Sequence, residues 1–200
     1  MKIQDLLLNA LIVLTLILSA GCEADDPIKE DAPELITNVT LTFTPATGSP
    51  VVAMATDPDG EGVQNLETDG PVRLKPQMTY ILEIQLLNAL VNPGDDGYDI
   101  SSEVRKEADE HMFFFGWSGS IFSDPAGDGN IDSRSDEVNY RDEDVNKLPV
   151  GLTTQWTTVP APASGKLNII LKHQPEVKSA TSSSDVGETD LDVEFDVIVD

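Results

Sequence analysis

The chain has 200 residues, and its 36 Asp and Glu against 12 Lys and Arg give a formal net charge of -24. This balance excludes nucleic acid as a partner, because a polyanion is bound by clustered Lys and Arg that release counterions. An anionic membrane surface would repel the chain for the same reason. With 40% hydrophobic and 24% charged residues, the composition is that of a folded globular protein with a single core.

The N-terminus carries an apolar run from residue 6 to residue 20, followed by Gly21 and by Cys22, the only cysteine of the chain. The run is shorter than the roughly 20 residues that span a bilayer. It ends in small residues, which predicts a signal peptide over residues 1–21. The stretch from Leu18 to Cys22 resembles the lipobox of bacterial lipoproteins. Cys22 is therefore predicted to carry the lipid that anchors the protein to a membrane, and the alternative is a free structural cysteine behind an ordinary signal peptide.

Residues 22–35 are rich in acids and contain Pro27 and Pro33. Such a segment buries little apolar surface, so we predict a disordered tether between Cys22 and the folded domain. Its acids, close behind the cysteine, resemble the export signal that sends lipoproteins of Bacteroidota to the outer face of the outer membrane. The alternative is a solvated acidic linker without a sorting role.

Residues 36–200 are predicted to form one all-β domain, because apolar residues recur there mainly at every second position. In the last run, from Leu191 to Val199, every odd-numbered residue is apolar and the residues between them are mostly acidic. One short helix is predicted over residues 101–110, with Asp99 or Ser101 as its N-cap. Seven or eight strands of this kind predict an antiparallel β-sandwich, immunoglobulin-like or jelly-roll-like. The clearest predicted strands are 39–44, 51–56, 80–86, 111–117, 151–159, 166–173 and 191–199.

The segment from Asp124 to Asp136 matches a calcium-binding loop in part. Such loops place oxygen ligands at alternate positions, turn at a glycine in position 6 and bury an apolar residue in position 8. Counted from Asp124, Gly129 falls at position 6 and Ile131 at position 8. The match fails at position 3, where Ala126 has no side-chain oxygen, and at position 12, where the acid comes one residue late. The alternative is a solvated acidic loop. The expected calcium ligands are Asp124, Asp128, Asn130, Asp132 and Asp136.

His111 and His173 are the two histidines of the chain, and each lies at one end of a predicted strand. Imidazole binds zinc, copper and iron, so the two residues are a candidate second metal or ligand site. Because no metal-ligand spacing surrounds them, the alternative is a hydrogen-bonded structural histidine at a strand end. In the triple-Phe run after His111, alternation directs Phe113 and Phe115 into the core and leaves Phe114 exposed.

Four segments resemble a family of Bacteroidota lipoproteins of unknown activity. They are DEHMFFF at 109–115, GNIDSRSDEVNYRDED at 129–144, GLTTQWTT at 151–158 and LKHQPEVKSATSSSDVGETDLDVEF at 171–195. The family is commonly labelled "type 1 periplasmic binding fold superfamily", and the resemblance implies a gene near that of a TonB-dependent outer-membrane receptor. The label implies a doubly wound α/β fold with many helices, whereas the period-two pattern with one helix predicts an all-β domain. We follow the periodicity.

The sequence contains no P-loop, HExxH or dinucleotide-binding motif, and the stretch from Gly116 to Ser120 departs from a nucleophile elbow at its fifth position. We therefore expect a non-catalytic binding or accessory module, lipid-anchored at the outer membrane on its periplasmic or extracellular face. The resemblance implies a role beside a TonB-dependent receptor in nutrient uptake, with a metal or a metal complex as a candidate nutrient. The alternatives are a structural or adhesive surface protein stabilised by calcium, and an enzyme such as a glycan hydrolase.

Overall fold

The alternating pattern becomes ten strands and one helix in the part of the chain that this computed structural model describes, residues 34–57, 60 and 66–200. The helix α1 (Ile100–Lys106) follows the fifth strand. The predicted signal peptide, Cys22 and the tether up to residue 33 lie outside the described residues. The strands are β1 (Asn38–Pro45), β2 (Val51–Thr56), β3 (Glu67–Thr68), β4 (Val72–Leu74), β5 (Thr79–Leu87), β6 (His111–Trp117), β7 (Phe122–Asp124), β8 (Thr153–Thr158), β9 (Ala163–His173) and β10 (Glu188–Val199).

The larger sheet has six strands in the order β3-β2-β1-β5-β8-β7, and every neighbouring pair is antiparallel. Within it, Leu41 of β1 pairs with Ala53 of β2 on one side and with Ile84 of β5 on the other. Val39, Leu41 and Phe43 are buried, and the threonines between them are partly exposed. This is the burial expected of a strand with one face on the core and the other towards water.

The smaller sheet has four strands in the order β4-β10-β9-β6. β9 is antiparallel to both β10 and β6, whereas the short β4 runs parallel to the end of β10. Burial alternates from Leu191 to Val199, as the sequence predicts. The pairing of β9 with β10 shifts in register between Thr189 and Leu191, which makes Asp190 an extra residue in its strand.

The core lies between the two sheets, and aromatic rings fill its centre. The ring of Trp156 in β8 lies 5.5 Å from that of Phe115 and 5.1 Å from that of Trp117, both in β6. Phe122 of β7 joins them at 4.7 Å from Trp156. Pairs of this kind stabilise a core beyond the area that they bury. These four aromatic side chains are buried and hold the larger sheet to the smaller one.

The predicted all-β sandwich with one short helix is confirmed. The seven clearest predicted strands correspond to β1, β2, β5, β6, β8, β9 and β10. The structure adds β3, β4 and β7, which have only two or three residues each. Strands of that length are too short to show a periodic signal in the sequence.

The helix begins as predicted and ends earlier. Asp99 is its N-cap, and the side chain of Asp99 accepts a hydrogen bond from the backbone N–H of Ser102 at 3.3 Å. The helix stops at Lys106 because the chain then turns, with the N–H of Glu110 donating to the carbonyl of Glu107 at 2.9 Å. This turn leads directly into β6 at His111.

Phe114 is fully buried, so its expected exposure is wrong. The loop after β7 covers the outer face of β6. The side chain of Ile131 lies 3.0 Å from the point where a Cβ would stand on Gly116, two residues beyond Phe114 on the same face. Because both faces of β6 are covered, large apolar side chains are stable on either of them.

Candidate functional site

The two histidines lie side by side at one end of the smaller sheet. His111 is the first residue of β6 and His173 the last residue of β9, and the antiparallel pairing sets them opposite each other. Their rings stack, with centroids 4.6 Å apart and planes 9° from parallel. The rings are almost completely buried, with residue exposures of 0% and 6%. The strand register therefore joins two residues that the sequence singled out separately.

Asp190 and Glu107 complete the cluster. The register shift in β10 gives two successive buried residues, Asp190 and Leu191, so that the carboxylate of Asp190 turns inward. Its Oδ2 lies 3.6 Å from Nε2 of His111. Glu107, which follows α1, offers a carboxylate oxygen that lies within 4.8 Å of a nitrogen of each histidine. We call His111, His173, Asp190 and Glu107 the histidine cluster.

Hydrogen bonds determine which nitrogen of each ring carries hydrogen. Nδ1 of His111 lies 3.0 Å from the backbone carbonyl of Glu107. A carbonyl only accepts, so Nδ1 donates and the neutral ring keeps its lone pair on Nε2. Nε2 of His173 lies 3.2 Å from a carboxylate oxygen of Glu110, so His173 donates from Nε2 and keeps its lone pair on Nδ1.

Nε2 of His111 and Oδ2 of Asp190 are buried, and neither has a hydrogen-bond partner among the described residues. Their separation of 3.6 Å is longer than a hydrogen bond. A nitrogen lone pair thus faces a carboxylate oxygen in a site closed to water. Two acceptors in this position are unfavourable unless a proton or a cation lies between them.

Burial also shifts the ionisation of this region. Removal from water raises the pKa of Asp190 to about 6 and lowers the pKa of His111. Glu34 donates its backbone N–H to Oδ1 of Asp190 at 3.2 Å. Burial, and next the carboxylate of Glu103, raise the pKa of Glu34 to about 7. The carboxylates of Asp190, Glu107 and Glu110 lie beside the two rings, and a cation bound among them would gain attraction from each.

The predicted calcium segment brings three of its five expected ligands together. The side chains of Asp128, Asp132 and Asp136 are exposed, and each offers a carboxylate oxygen within 4.8 Å of the other two. We call these three residues the acidic loop. Calcium takes about six to eight oxygen ligands, so three carboxylates and water molecules could form its shell.

The other two expected ligands point elsewhere. Asp124, the last residue of β7, accepts a hydrogen bond from Nδ2 of Asn139 at 3.1 Å. Asn130 is fully buried, and its Oδ1 accepts from the backbone N–H of Phe115 at 3.0 Å. Its Nδ2 donates to the hydroxyl of Tyr140 at 2.9 Å. Asn130 thus binds the backbone at the edge of β6. The position of Asn130 within the loop does not predict this contact.

Sequence reasoning missed Asp190 and Glu107. Asp190 has the same two-residue spacing as the acids that follow it in β10, such as Asp192 and Glu194. This pattern predicts that its side chain faces water. No local signal distinguishes it. Glu107 stands four residues before His111, the spacing that puts two side chains on one face of a helix, and this was the available clue.

No protein-family model, curated protein or solved structure matches the chain. Within residues 34–57, 60 and 66–200, no helix has both the length and the apolar character that crossing a membrane requires.

Proposed function

We propose that this chain is a lipid-anchored, non-catalytic binding module of the outer membrane that acts beside a TonB-dependent receptor in nutrient uptake. The observation that supports the proposal is the histidine cluster, in which two buried imidazoles and the buried carboxylate of Asp190 lie on the neighbouring strands β6, β9 and β10, with the half-buried Glu107 beside them. Its imidazoles contact a backbone carbonyl and carboxylates. Such partners orient a ring to hold a ligand, whereas a nucleophilic mechanism needs a hydroxyl or thiol next to the base.

The position of Glu34 supports a function for the domain close to the membrane. Glu34, the first described residue, donates its backbone N–H to Asp190 of the histidine cluster. Residues 23–33 span at most roughly 40 Å even when fully extended. A lipid on Cys22 would therefore keep the histidine cluster close to the membrane and to a receptor within it.

The experiment is made in cells that acylate lipoproteins. Mass spectrometry of the membrane fraction should find lipid on Cys22, and cross-linking in intact membranes should join the protein to a TonB-dependent receptor. Cys22→Ala should lose the lipid, leave the membrane fraction and lose the cross-link. Val145→Ala, a change at an 85% exposed surface residue, is the matched control and should keep all three properties. A wild-type protein without lipid, or without a receptor among its cross-linked partners, would contradict the proposal.

We propose as the second candidate a calcium-stabilised structural or adhesive protein of the cell surface. The convergence of Asp128, Asp132 and Asp136 favours it. In this case calcium orders the acidic loop, and the sandwich serves as a rigid surface unit. Gene order separates the candidates, because a receptor gene next to this one supports uptake and a group of adhesin genes supports a structural function.

A further inference from the structure

We propose that the histidine cluster binds one divalent transition-metal ion, such as Zn²⁺, with His111 and Asp190 as its preformed ligands. The inference rests on the proposed binding function and names the class of ligand. It depends on three features of the cluster: the gap between two atoms, the orientation of each ligand by the backbone, and the further donors within reach.

The gap between His111 and Asp190 fits a metal ion better than a hydrogen bond. Zinc binds imidazole nitrogen and carboxylate oxygen at about 2.0–2.2 Å, so two such ligands at a tetrahedral angle lie about 3.4 Å apart. Nε2 of His111 and Oδ2 of Asp190 are 3.6 Å apart. An N–H···O hydrogen bond would need about 2.7–3.2 Å. Both atoms are buried without a hydrogen-bond partner among the described residues, so each has a lone pair for an ion.

A backbone group orients each of these two ligands. Nδ1 of His111 donates to the carbonyl of Glu107 at 3.0 Å, which leaves the lone pair on Nε2, the nitrogen 3.6 Å from Oδ2 of Asp190. Metal-binding histidines almost always donate their second ring N–H in this way. Oδ1 of Asp190 accepts from the N–H of Glu34 at 3.2 Å, which leaves Oδ2 for the ion. The two ligand atoms are thus held in place before any ion arrives.

His173 and Glu107 are the nearest further donors, because each offers a ligand atom within 4.8 Å of the other and of a nitrogen of His111. An imidazole binds a metal ion in the plane of its ring, and two rings only 9° from parallel cannot both do so at one ion. One ring must therefore turn on binding. His173 is the less enclosed of the two rings, with 6% exposure against 0% for His111, so we assign the turn to His173. Together with His111 and with Asp190, whose Oδ2 lies 3.6 Å from His111, the two further donors would provide two nitrogens and two carboxylate oxygens, a ligand set that zinc accepts.

The test uses the purified full-length chain in detergent, without a polyhistidine tag, and titrates Zn²⁺ by calorimetry. We expect one Zn²⁺ per chain. Co²⁺ in place of Zn²⁺ should give the visible absorption of a tetrahedral ion with nitrogen and oxygen ligands. Competition between the two ions would show that they occupy one site.

Two substitutions each remove one ligand atom with little change in volume. They are His111→Gln and Asp190→Asn, and Asp190→Asn keeps Oδ1 as the acceptor for Glu34. Loss of a residue that only orients a metal ligand costs roughly 10–100-fold in metal affinity, so loss of a ligand itself should weaken Zn²⁺ binding about 100-fold or more. The control is the double variant Asp128→Asn and Asp132→Asn, which removes charge from the acidic loop and should leave Zn²⁺ affinity unchanged.

Circular dichroism establishes that each variant is folded. If His111→Gln does not fold, Asp190→Asn and the less buried His173→Gln decide the question. The proposal is overturned if the wild-type chain binds no Zn²⁺, if Asp190→Asn and His173→Gln bind it as tightly as wild type, or if only the acidic-loop variant loses it. Acylation and receptor cross-linking do not depend on these substitutions. A failed titration therefore removes the ion site alone, and a failed cross-link removes the uptake function alone.

Discussion

Asn130 holds the outer edge of β6 through both ends of its amide. Its Oδ1 accepts from the N–H of Phe115, and its Nδ2 donates to the hydroxyl of Tyr140. That hydroxyl donates in turn to the carbonyl of Phe113 at 2.6 Å. The side chain is fully buried, so water cannot replace it as a partner. If the amide were removed, the N–H of Phe115 would lose its acceptor and the hydroxyl of Tyr140 would lose a donor, although the hydroxyl would keep its bond to Phe113.

Asn130→Ala is therefore expected to lower the free energy of unfolding by about 1–3 kcal/mol, the cost of a buried polar group without a partner. Urea-induced unfolding followed by tryptophan fluorescence measures the change. Asn146→Ala, at an exposed asparagine, is the matched control and should have little effect. Equal losses in the two variants would contradict the edge role of Asn130.

A buried ion pair joins two loops of the domain. Nζ of Lys178 lies 2.9 Å from Oδ2 of Asp144, and the two side chains are 1% and 0% exposed. Nζ also donates to the carbonyl of Ala108 at 2.6 Å. Burial lowers the pKa of Lys178, because water no longer stabilises its charge. The carboxylate of Asp144 is the group that keeps this ammonium charged inside the protein.

Lys178→Met is expected to destabilise the protein by about 3–5 kcal/mol, because it leaves a buried carboxylate without its cation. The loss should shrink as the pH falls, since Asp144 without its partner becomes protonated and neutral. Thermal unfolding at several pH values measures both effects. Lys147→Met is the control, because its partner Glu143 and Lys147 itself are exposed at the surface. The same loss in Lys147→Met, or no pH dependence, would count against the buried pair.

At the scale of elements, β6 shows which properties of a strand follow from its own sequence and which depend on a distant segment. The sequence predicts the strand at 111–117 and directs Phe113 and Phe115 into the core, and both predictions are confirmed. The outer face of the same strand could not be predicted, because Ile131 covers it from a loop. Local alternation shows only that a side chain faces away from the core. It carries no information about a loop that returns to cover that side.

The acidic loop carries the prediction on calcium. Binding should stabilise the native state by RT ln(1 + [L]/Kd), about 2.7 kcal/mol when calcium is a hundredfold above Kd. For a domain of this size the melting temperature should rise by about 5–11 °C. Magnesium should have a smaller effect, because it demands a tighter octahedral shell and gives up water reluctantly. Differential scanning calorimetry of the chain with each ion measures the shifts.

Asp128→Asn combined with Asp132→Asn should abolish the calcium shift. Asp95→Asn combined with Asp96→Asn removes two exposed acids outside the acidic loop, and this matched pair should keep the shift. Sodium chloride at the same ionic strength distinguishes binding from screening of diffuse charge. If salt reproduces the calcium shift, the loop is only a solvated acidic segment.

At the scale of the whole molecule, the described residues belong to one compact unit. A chain that begins at residue 33 is therefore expected to fold without Cys22. Circular dichroism should show strands with little helix, and unfolding in urea should be a single transition by different probes. A chain that begins at Asn38 is the control and should be less stable, because it lacks the buried Ile36 and the hydrogen bond from Thr37 to Leu87. A helix content near one third would contradict the all-β fold.

The sequence by itself determined which segments form the long strands and which of their faces points into the core. Alternation is a local property, and it indicated seven of the ten strands of the described chain. Residue types and short spacings, which are read directly along the chain, also gave Asp99 and Ser101 as the two candidate helix caps, of which Asp99 is the cap, and singled out His111 and His173. The prediction of calcium ligands named Asp128, Asp132 and Asp136, whose carboxylates do converge.

Only the tertiary structure determined which groups these residues contact. The stacking of His111 on His173 depends on the register between β6 and β9. The inward turn of Asp190 depends on one extra residue in β10, which period-two counting treats as another acid facing water. Asn130 does not join the expected calcium ligands, because its Oδ1 accepts a hydrogen bond from the N–H of Phe115 at the edge of β6. Register, bulges and edge partners are set by packing between segments far apart in the chain, and no local pattern records that packing.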